Sequence, residues 1–172
     1  MEKKFRFKRI EAENIKENLF SLLHYDWMLV CAGNIDSYNI MTASWGTFGI
    51  LWNKPVAICY IRPQRYTYQY TEKNSFYTLN FFPEKHKHIL DLCGSRSGRD
   101  INKMKIEGLN PLKTKQENVI FDEAKLALEC RKIYFDDIKP ENFIDPSIEK
   151  LYLIKDYHRF YIGEIINAWV PS

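Results

Sequence analysis

Tyr157-His158-Arg159-Phe160-Tyr161-Ile162-Gly163-Glu164-Ile165-Ile166-Asn167-Ala168-Trp169-Val170 reads as one long strand. At period two, His158, Phe160, Ile162, Ile166 and Val170 share one side, and Tyr161, Ile165 and Trp169 share the other. A strand apolar on both faces is covered on both. One face belongs to a core, and the other is free for a partner subunit.

Upstream, the same period recurs in short runs. Trp27–Ala32 is a buried strand ending at Gly33-Asn34. Asn39–Phe48 is a second run, broken by Gly46 and Gly49. Pro55 opens a third, Val56–Ile61, and Phe76–Phe82 is another. Between Ala124 and Cys130 the even positions are apolar, and from Ile133 to Phe135 the odd ones are. That switch places a β-bulge near Arg131-Lys132. Helical spacing is confined to short pieces: Asn14–Leu23, a short helix that Arg65–Tyr70 leads into, Glu84–Leu92 with Ile89 and Leu92 inward, and Ile101–Glu107. Asp100 suits the N-cap of that last helix and Gly108 its C-terminal end. Ser147–Leu151 suits a helical turn. Short strands with a few inserted helices point to a closed antiparallel barrel. No G-x-G-x-x-G or Walker motif supports a dinucleotide or P-loop fold.

A chain of 172 residues suits one domain with a real core. A net charge of +3 without a basic stripe disfavours a nucleic-acid binder working through Tyr66, Tyr68 and Tyr70. Lys3-Lys4-Phe5-Arg6-Phe7-Lys8-Arg9 is basic but brief, and reads as a first strand with Phe5 and Phe7 on one face. No apolar run is long enough to span a membrane, and no signal-peptide core follows the basic start, so a cytoplasmic location is expected. The cysteines at 31, 59, 93 and 130 form no C-x-x-C, so neither zinc nor a disulfide framework is expected. Cys31, Cys59 and Cys130 read as buried apolar residues, and Cys93 borders a possible ligand loop. Aromatic content of 15% favours strands, a flat-ring site or a large interface.

Four constellations carry chemistry. Cys93-Gly94-Ser95-Arg96-Ser97-Gly98-Arg99-Asp100 gathers glycines, hydroxyls and cations ahead of a helical pattern, which suits either a phosphate cradle or a polar capping loop. Asn39-Ile40-Met41-Thr42-Ala43-Ser44-Trp45-Gly46 places polar and small residues in a strand, for close approach of a ligand or for a wet edge. Arg62-Pro63-Gln64-Arg65-Tyr66-Thr67 is a second anion site or a solvated turn, with Thr67 able to cap the next helix. His158 is a structural histidine or a group at a reacting edge. No Ser-His-Asp or metal-ligand spacing is present.

Taken in order, these segments, with Phe76–Phe81 and the Asp156–Glu164 strand, resemble the flavin reductase-like, FMN-binding split-barrel family over about residues 20–170. The resemblance implies a mainly β fold, a Greek-key split β-barrel with a few short inserted helices, as a single domain over 1–172. It implies a homodimer with FMN near the subunit interface. Asn39, Met41, Thr42, Ala43, Ser44 and Trp45 would lie along the ring and ribityl chain, with Asn80 and Phe81 from the next strand. Arg62, Arg65, Tyr66, Thr67, Cys93, Gly94, Ser95, Ser97, Gly98, Arg99 and Lys103 would share the phosphate and the pyrimidine edge. The implied activity passes electrons from NADH or NADPH through flavin to a small-molecule or protein acceptor, with His158 near the reacting rings. The alternative is an FMN-binding electron carrier without nicotinamide activity. No membrane, nucleic acid or metal is implied.

Overall fold

Period-two alternation becomes ten strands in a computed structural model of the chain, which describes residues 6–172. They are β1 (Phe7–Ile10), β2 (Met28–Asn34), β3 (Ser37–Ala43), β4 (Gly46–Leu51), β5 (Lys54–Ile61), β6 (Phe76–Phe81), β7 (Pro111–Lys113), β8 (Val119–Phe121), β9 (Leu126–Asp137) and β10 (Arg159–Pro171). Three α-helical pieces interrupt them: α1 (Leu19–Ser21), α2 (Tyr66–Lys73) and α3 (Lys87–Ser95). The main sheet is antiparallel in the order β3-β2-β6-β9-β10-β5-β4, and β7 and β8 form a separate hairpin. The expected first strand is β1, with Phe7 buried; the reading at Lys3, Lys4 and Phe5 lies outside the described residues.

β10 is long because it carries two neighbours along one edge. Arg159–Glu164 pairs with β5 and Ala168–Pro171 with β1, while β9 runs along its other side. The sheet curls around one cluster that takes Val30 of β2, Met41 of β3, Cys59 of β5, Leu79 of β6, Leu128 of β9 and Tyr161 of β10. Each such side chain contributes about 1.5–3 kcal/mol by leaving water. The opposite face of β2 and β3 (Leu29, Cys31, Tyr38, Ile40) packs under α3 and the β7–β8 hairpin. The end strands β3 and β4 follow one another in the chain, separated by Ser44 and Trp45, yet do not pair. The barrel is therefore split at that seam.

The bulge stands where the parity switch puts it. Ile162 faces Tyr134 and Gly163 faces Lys132, so Ile133 is the extra residue. A second bulge, at Ile166 of β10, was not anticipated. It reverses the alternation beyond it. Ala168 and Val170 join Tyr161 and Ile165 at the inner cluster, and Trp169 turns to the outer one.

Several helical expectations are corrected. Asn14–Leu23 is not one helix: it holds the single turn α1, followed by a π-helical turn over Leu22–Asp26. The run Asn39–Phe48 divides into β3 and β4. In α3, Ile89, Leu90 and Cys93 point inward, while Leu92 is exposed. No helix spans Ile101–Glu107. Only a 3-10 turn forms at Lys103–Lys105, capped by Asn102 rather than Asp100.

Candidate functional site

At the seam, β3 has no strand beside it on its outer side among the described residues. The Ile40 carbonyl faces that side, where it accepts from Lys103 Nζ at 3.0 Å. In an antiparallel strand the N–H and C=O of one residue point the same way, so those of Thr42 also face the open edge. Thr42 Oγ1 donates to the Leu90 carbonyl at 2.5 Å, which ties α3 to this strand. Beyond β3 lies a cavity of about 290 Å³ walled by Met41–Trp45, Tyr60, Arg62, Arg65 and His158.

The far wall is braced by charge and rings. Arg62 pairs with Asp156, donates to the Leu151 carbonyl at 3.0 Å and lies 5.0 Å from the Tyr152 ring centre. Gln64 also donates to Asp156. The His158 ring lies 4.9 Å from that of Trp45, and its Nδ1 is 2.9 Å from Tyr152 Oη. Burial, helped by the Arg62 charge, pulls the His158 pKa down to about 4, so the imidazole is neutral at pH 7.

A second cavity, of about 190 Å³, continues from the first. It is walled by Asn39, Gln64, Tyr66, Thr67, Ser95–Gly98 and Lys103, and it shares Met41 and Arg65 with its neighbour. Thr67 Oγ1 donates to Asn39 Oδ1 at 2.8 Å, which fixes the start of α2 against β3. Gly98 is required by close approach: a Cβ there would stand 2.1 Å from Asn39 Nδ2 and 2.8 Å from the Tyr66 ring.

The electrostatics differ from the expected arrangement. The Cys93–Asp100 segment does not open a helix; its first three residues end α3. The carbonyls of that last turn are capped by cations. Arg65 donates to Gly94 O at 2.8 Å and Cys93 O at 3.1 Å, and Lys103 donates to Cys93 O at 2.8 Å. The helix N-terminus beside the second cavity belongs instead to α2, where Arg65 is the N-cap and Thr67 lies inside the first turn rather than at the cap. Lys103 is buried, and burial lowers its pKa to about 8.

Of the residues read from the sequence, Asn39, Met41, Thr42, Ala43, Ser44, Trp45, Arg62, Arg65, Tyr66, Thr67, Ser95, Ser97, Gly98, Lys103 and His158 line these joined cavities. Five others do not. Asn80 and Phe81 are fully buried in β6, with Asn80 Nδ2 donating to Leu29 O and Phe81 in the inner cluster. The Cys93 thiol is buried beneath α3, with its pKa pushed up to about 11 by burial; only its carbonyl faces the cations. Gly94 packs towards Thr42. Arg99 lies over the Tyr66 ring at 4.9 Å and donates to the Gln64 carbonyl. Tyr60, Gln64 and Arg96 line the cavities without having been singled out. Gln64 and Arg96 sat inside the two quoted motifs, and Tyr60 alternates with buried Cys59 and Ile61.

The flavin reductase like domain model matches residues 20–172, nearly the whole chain. The chain belongs to the flavin reductase-like domain family. No curated protein sequence matches it. Solved structures with a similar fold include an FMN-binding protein from Thermus thermophilus with bound p-hydroxybenzaldehyde. It is 20% identical, with a TM-score of 0.67, over 95% of this chain and 83% of that one. The flavoredoxin of Methanosarcina acetivorans is 22% identical, with a TM-score of 0.67, over 94% and 77%. The NADH:FAD oxidoreductase of Streptomyces globisporus C-1027, in complex with NAD and FAD fragments, is 13% identical, with a TM-score of 0.63, over 83% and 73%. This flavin reductase-like chain thus shares its barrel with proteins of low sequence identity. Among its described residues no helix is long and apolar enough to cross a membrane, and no group of three or more His, Cys, Asp or Glu stands where it would hold a metal ion.

Proposed function

We propose that this protein is an FMN-binding oxidoreductase of the flavin reductase type, taking electrons from NADH or NADPH and passing them to a second acceptor. The observation that carries the reading is the pair of joined cavities. One is open to a flat ring along the free edge of β3; the other is lined by cations and hydroxyls at the start of α2. FMN has that shape and polarity: a planar ring, a polar chain and a terminal phosphate.

The residues fit this cofactor on chemical grounds. Arg96 is exposed beside the second cavity; its backbone N–H donates to Leu92 O, but its guanidinium makes no ion pair or hydrogen bond among the described residues, so its charge is available to a phosphate. Lys103 has a third N–H beyond the two it gives to Ile40 and Cys93. Gly98 lets the loop close on Asn39 and Tyr66 at the cavity wall, and the Thr42 backbone offers donor and acceptor at the strand edge. When bound, FMN supplies hydride and single-electron chemistry at its ring. The chain orients that ring against Trp45 and His158 and holds positive charge near it through Arg62 and Arg65. FMN titration with release and identification of the chromophore tests the reading. The expected result is a yellow holoprotein at about one flavin per chain, and a chain that takes up no FMN overturns it.

A second reading, an FMN-binding electron carrier without nicotinamide activity, draws support from the shared fold with flavoredoxin. Rapid mixing of the holoprotein with NADH and with NADPH separates the two. Bleaching of the flavin band favours the reductase. A band bleached by dithionite alone favours the carrier.

The proposal includes a homodimer in the cytoplasm. The dimer is supported by an aromatic patch in which exposed Trp52 lies 6.1 Å from exposed Tyr134, and Tyr134 lies 6.3 Å from half-buried Phe160. Sedimentation at twice the 20.6 kDa chain mass is expected, and a monomer at micromolar concentration removes this part.

A further inference from the structure

The connection from β9 to β10 lines an aromatic hollow beside the first cavity and brings Tyr152 against His158. Tyr152 is only 3% exposed and is clamped on several sides. Phe143 stacks on it at 6.1 Å and 21°, Tyr157 lies at 4.9 Å, and the Arg62 guanidinium covers its ring. Its hydroxyl makes one hydrogen bond among the described residues, to His158 Nδ1.

A hydroxyl proton in such a place needs an acceptor. Were Nδ1 the donor, the Tyr152 proton would have none in this setting. The consistent arrangement has Tyr152 donating to Nδ1, which leaves the proton of the neutral imidazole on Nε2. Burial raises the Tyr152 pKa, so the hydroxyl keeps its proton. Nε2 has no protein partner among the described residues, yet it is not among their sealed, unpartnered polar atoms. His158 lines the first cavity while Tyr152 lines the adjoining aromatic hollow, so the Nε2 edge is the one that meets the ligand space. The charged groups around the pair are Arg62 and Asp156, and they are bonded to each other.

We propose that Tyr152 is a positioning residue that fixes His158 as an Nε2–H donor, and that this donor binds a carbonyl oxygen of the reactant placed beside the flavin. The second half rests on the FMN reading above; the first half stands on the geometry alone.

Long-range proton–nitrogen NMR on histidine-labelled full-length protein, with and without FMN, reads the first half. The expected signature is a neutral His158 ring, assigned by its loss in His158→Leu, with Nε2 protonated and Nδ1 shifted as a hydrogen-bond acceptor. Tyr152→Phe moves Nδ1 to the position of a free imine nitrogen. A protonated Nδ1 in the parent, or an Nδ1 unmoved in Tyr152→Phe, overturns the assignment. Because the flavin-free chain gives this readout, failure to bind FMN remains a separate result.

The second half is read on FMN-loaded protein by titrating p-hydroxybenzaldehyde against 4-methylphenol, which lacks the carbonyl, and following the flavin spectrum. The preference for the aldehyde is expected to fall about tenfold in His158→Leu and several-fold in Tyr152→Phe. His158→Gln, whose amide N–H reaches as Nε2–H does, is expected to retain most of it. An equal preference in the parent and all three variants overturns carbonyl recognition.

Discussion

At the residue scale, the site turns on which cations are already engaged. Arg65 and Lys103 cap the end of α3, and Arg99 is held by Tyr66 and Gln64, so Arg96 is the cation whose charge is free. Arg96→Ala is expected to weaken FMN binding about tenfold while leaving riboflavin, which lacks the phosphate, nearly unchanged. Arg99→Ala is expected to have the smaller effect. Parallel titrations of both ligands check this, and equal losses for FMN and riboflavin would assign Arg96 a structural role. Lys103 supplies a pH signature. A bound phosphate favours its charged form, so FMN affinity is expected to fall as pH rises above about 8. The unliganded fold responds in the opposite sense. Between about pH 8 and the ordinary lysine value of 10.5, the unfolded chain holds a proton that the folded chain lacks, so this group makes stability rise with pH. Binding and urea titrations at pH 7, 8 and 9, with Lys103→Met as control, resolve the two slopes. Opposite slopes that persist in Lys103→Met would remove Lys103 as their source. The cluster of small, polar and basic residues was legible in the sequence. The division of labour among its cations was not, because backbone carbonyls that consume a charge leave no trace in composition.

At the element scale, the strands were legible, as were α2, α3 and the turn at Ser147–Leu151, while the helices expected over Asn14–Leu23 and Ile101–Glu107 did not form. Period-two patterns persist because each face of the sheet meets its own apolar layer, and even the bulge at Ile133 shows as a change of parity. The bulge at Ile166 escaped because the residues beyond Asn167 (Ala168, Trp169 and Val170) are apolar at both parities, so no change of parity marks the slip. The helix expected over Ile101–Glu107 failed because the chain there serves to place Lys103 beneath β3. The glycine in β10 has a more exact meaning than a weak strand position. Tyr77 Oη crosses the barrel to donate to the Ala57 carbonyl at 2.7 Å, and a Cβ on Gly163 would stand 2.5 Å from that oxygen and 2.7 Å from Cys130 Cβ. Gly163→Ala is expected to cost about 1–3 kcal/mol in urea unfolding. Adding Tyr77→Phe is expected to recover part of the loss, since the Cys130 contact remains. A Gly163→Ala protein as stable as its parent would show that the β9–β10 ladder shifts freely at the bulge.

At the scale of the whole molecule, a split barrel keeps one strand edge open and must roof that opening with something other than a strand. Here the roof is the connection from β9 to β10, which covers the aromatic hollow beside the first cavity and is fastened by the Arg62–Asp156 pair and by Tyr152 on His158. The resemblance carried the barrel and its split, yet Tyr152 lies outside every motif, and Arg62 and Asp156 sit in separate ones, so the partnership of these residues emerged only in three dimensions. Fastening has a cost in acid. His158 is neutral when folded down to about pH 4, whereas the unfolded imidazole takes up a proton near the ordinary value of 6.5. Between these limits the unfolded state binds more protons, so stability falls as pH drops from about 6.5 towards 4, by about 2–3 kcal/mol from this group. Asp156 works in a different window. Burial pushes its carboxyl up, but hydrogen bonds from Arg62 and Gln64 outweigh that and hold it below the usual range, so its contribution is lost only at still lower pH. Urea unfolding of the parent and His158→Leu at pH 7, 6, 5 and 4.5 separates the two. The parent is expected to lose stability progressively from pH 6.5, and the variant is expected to stay level until the carboxylates protonate. Identical slopes in both proteins would mean that the roof opens and hydrates the imidazole before the barrel unfolds.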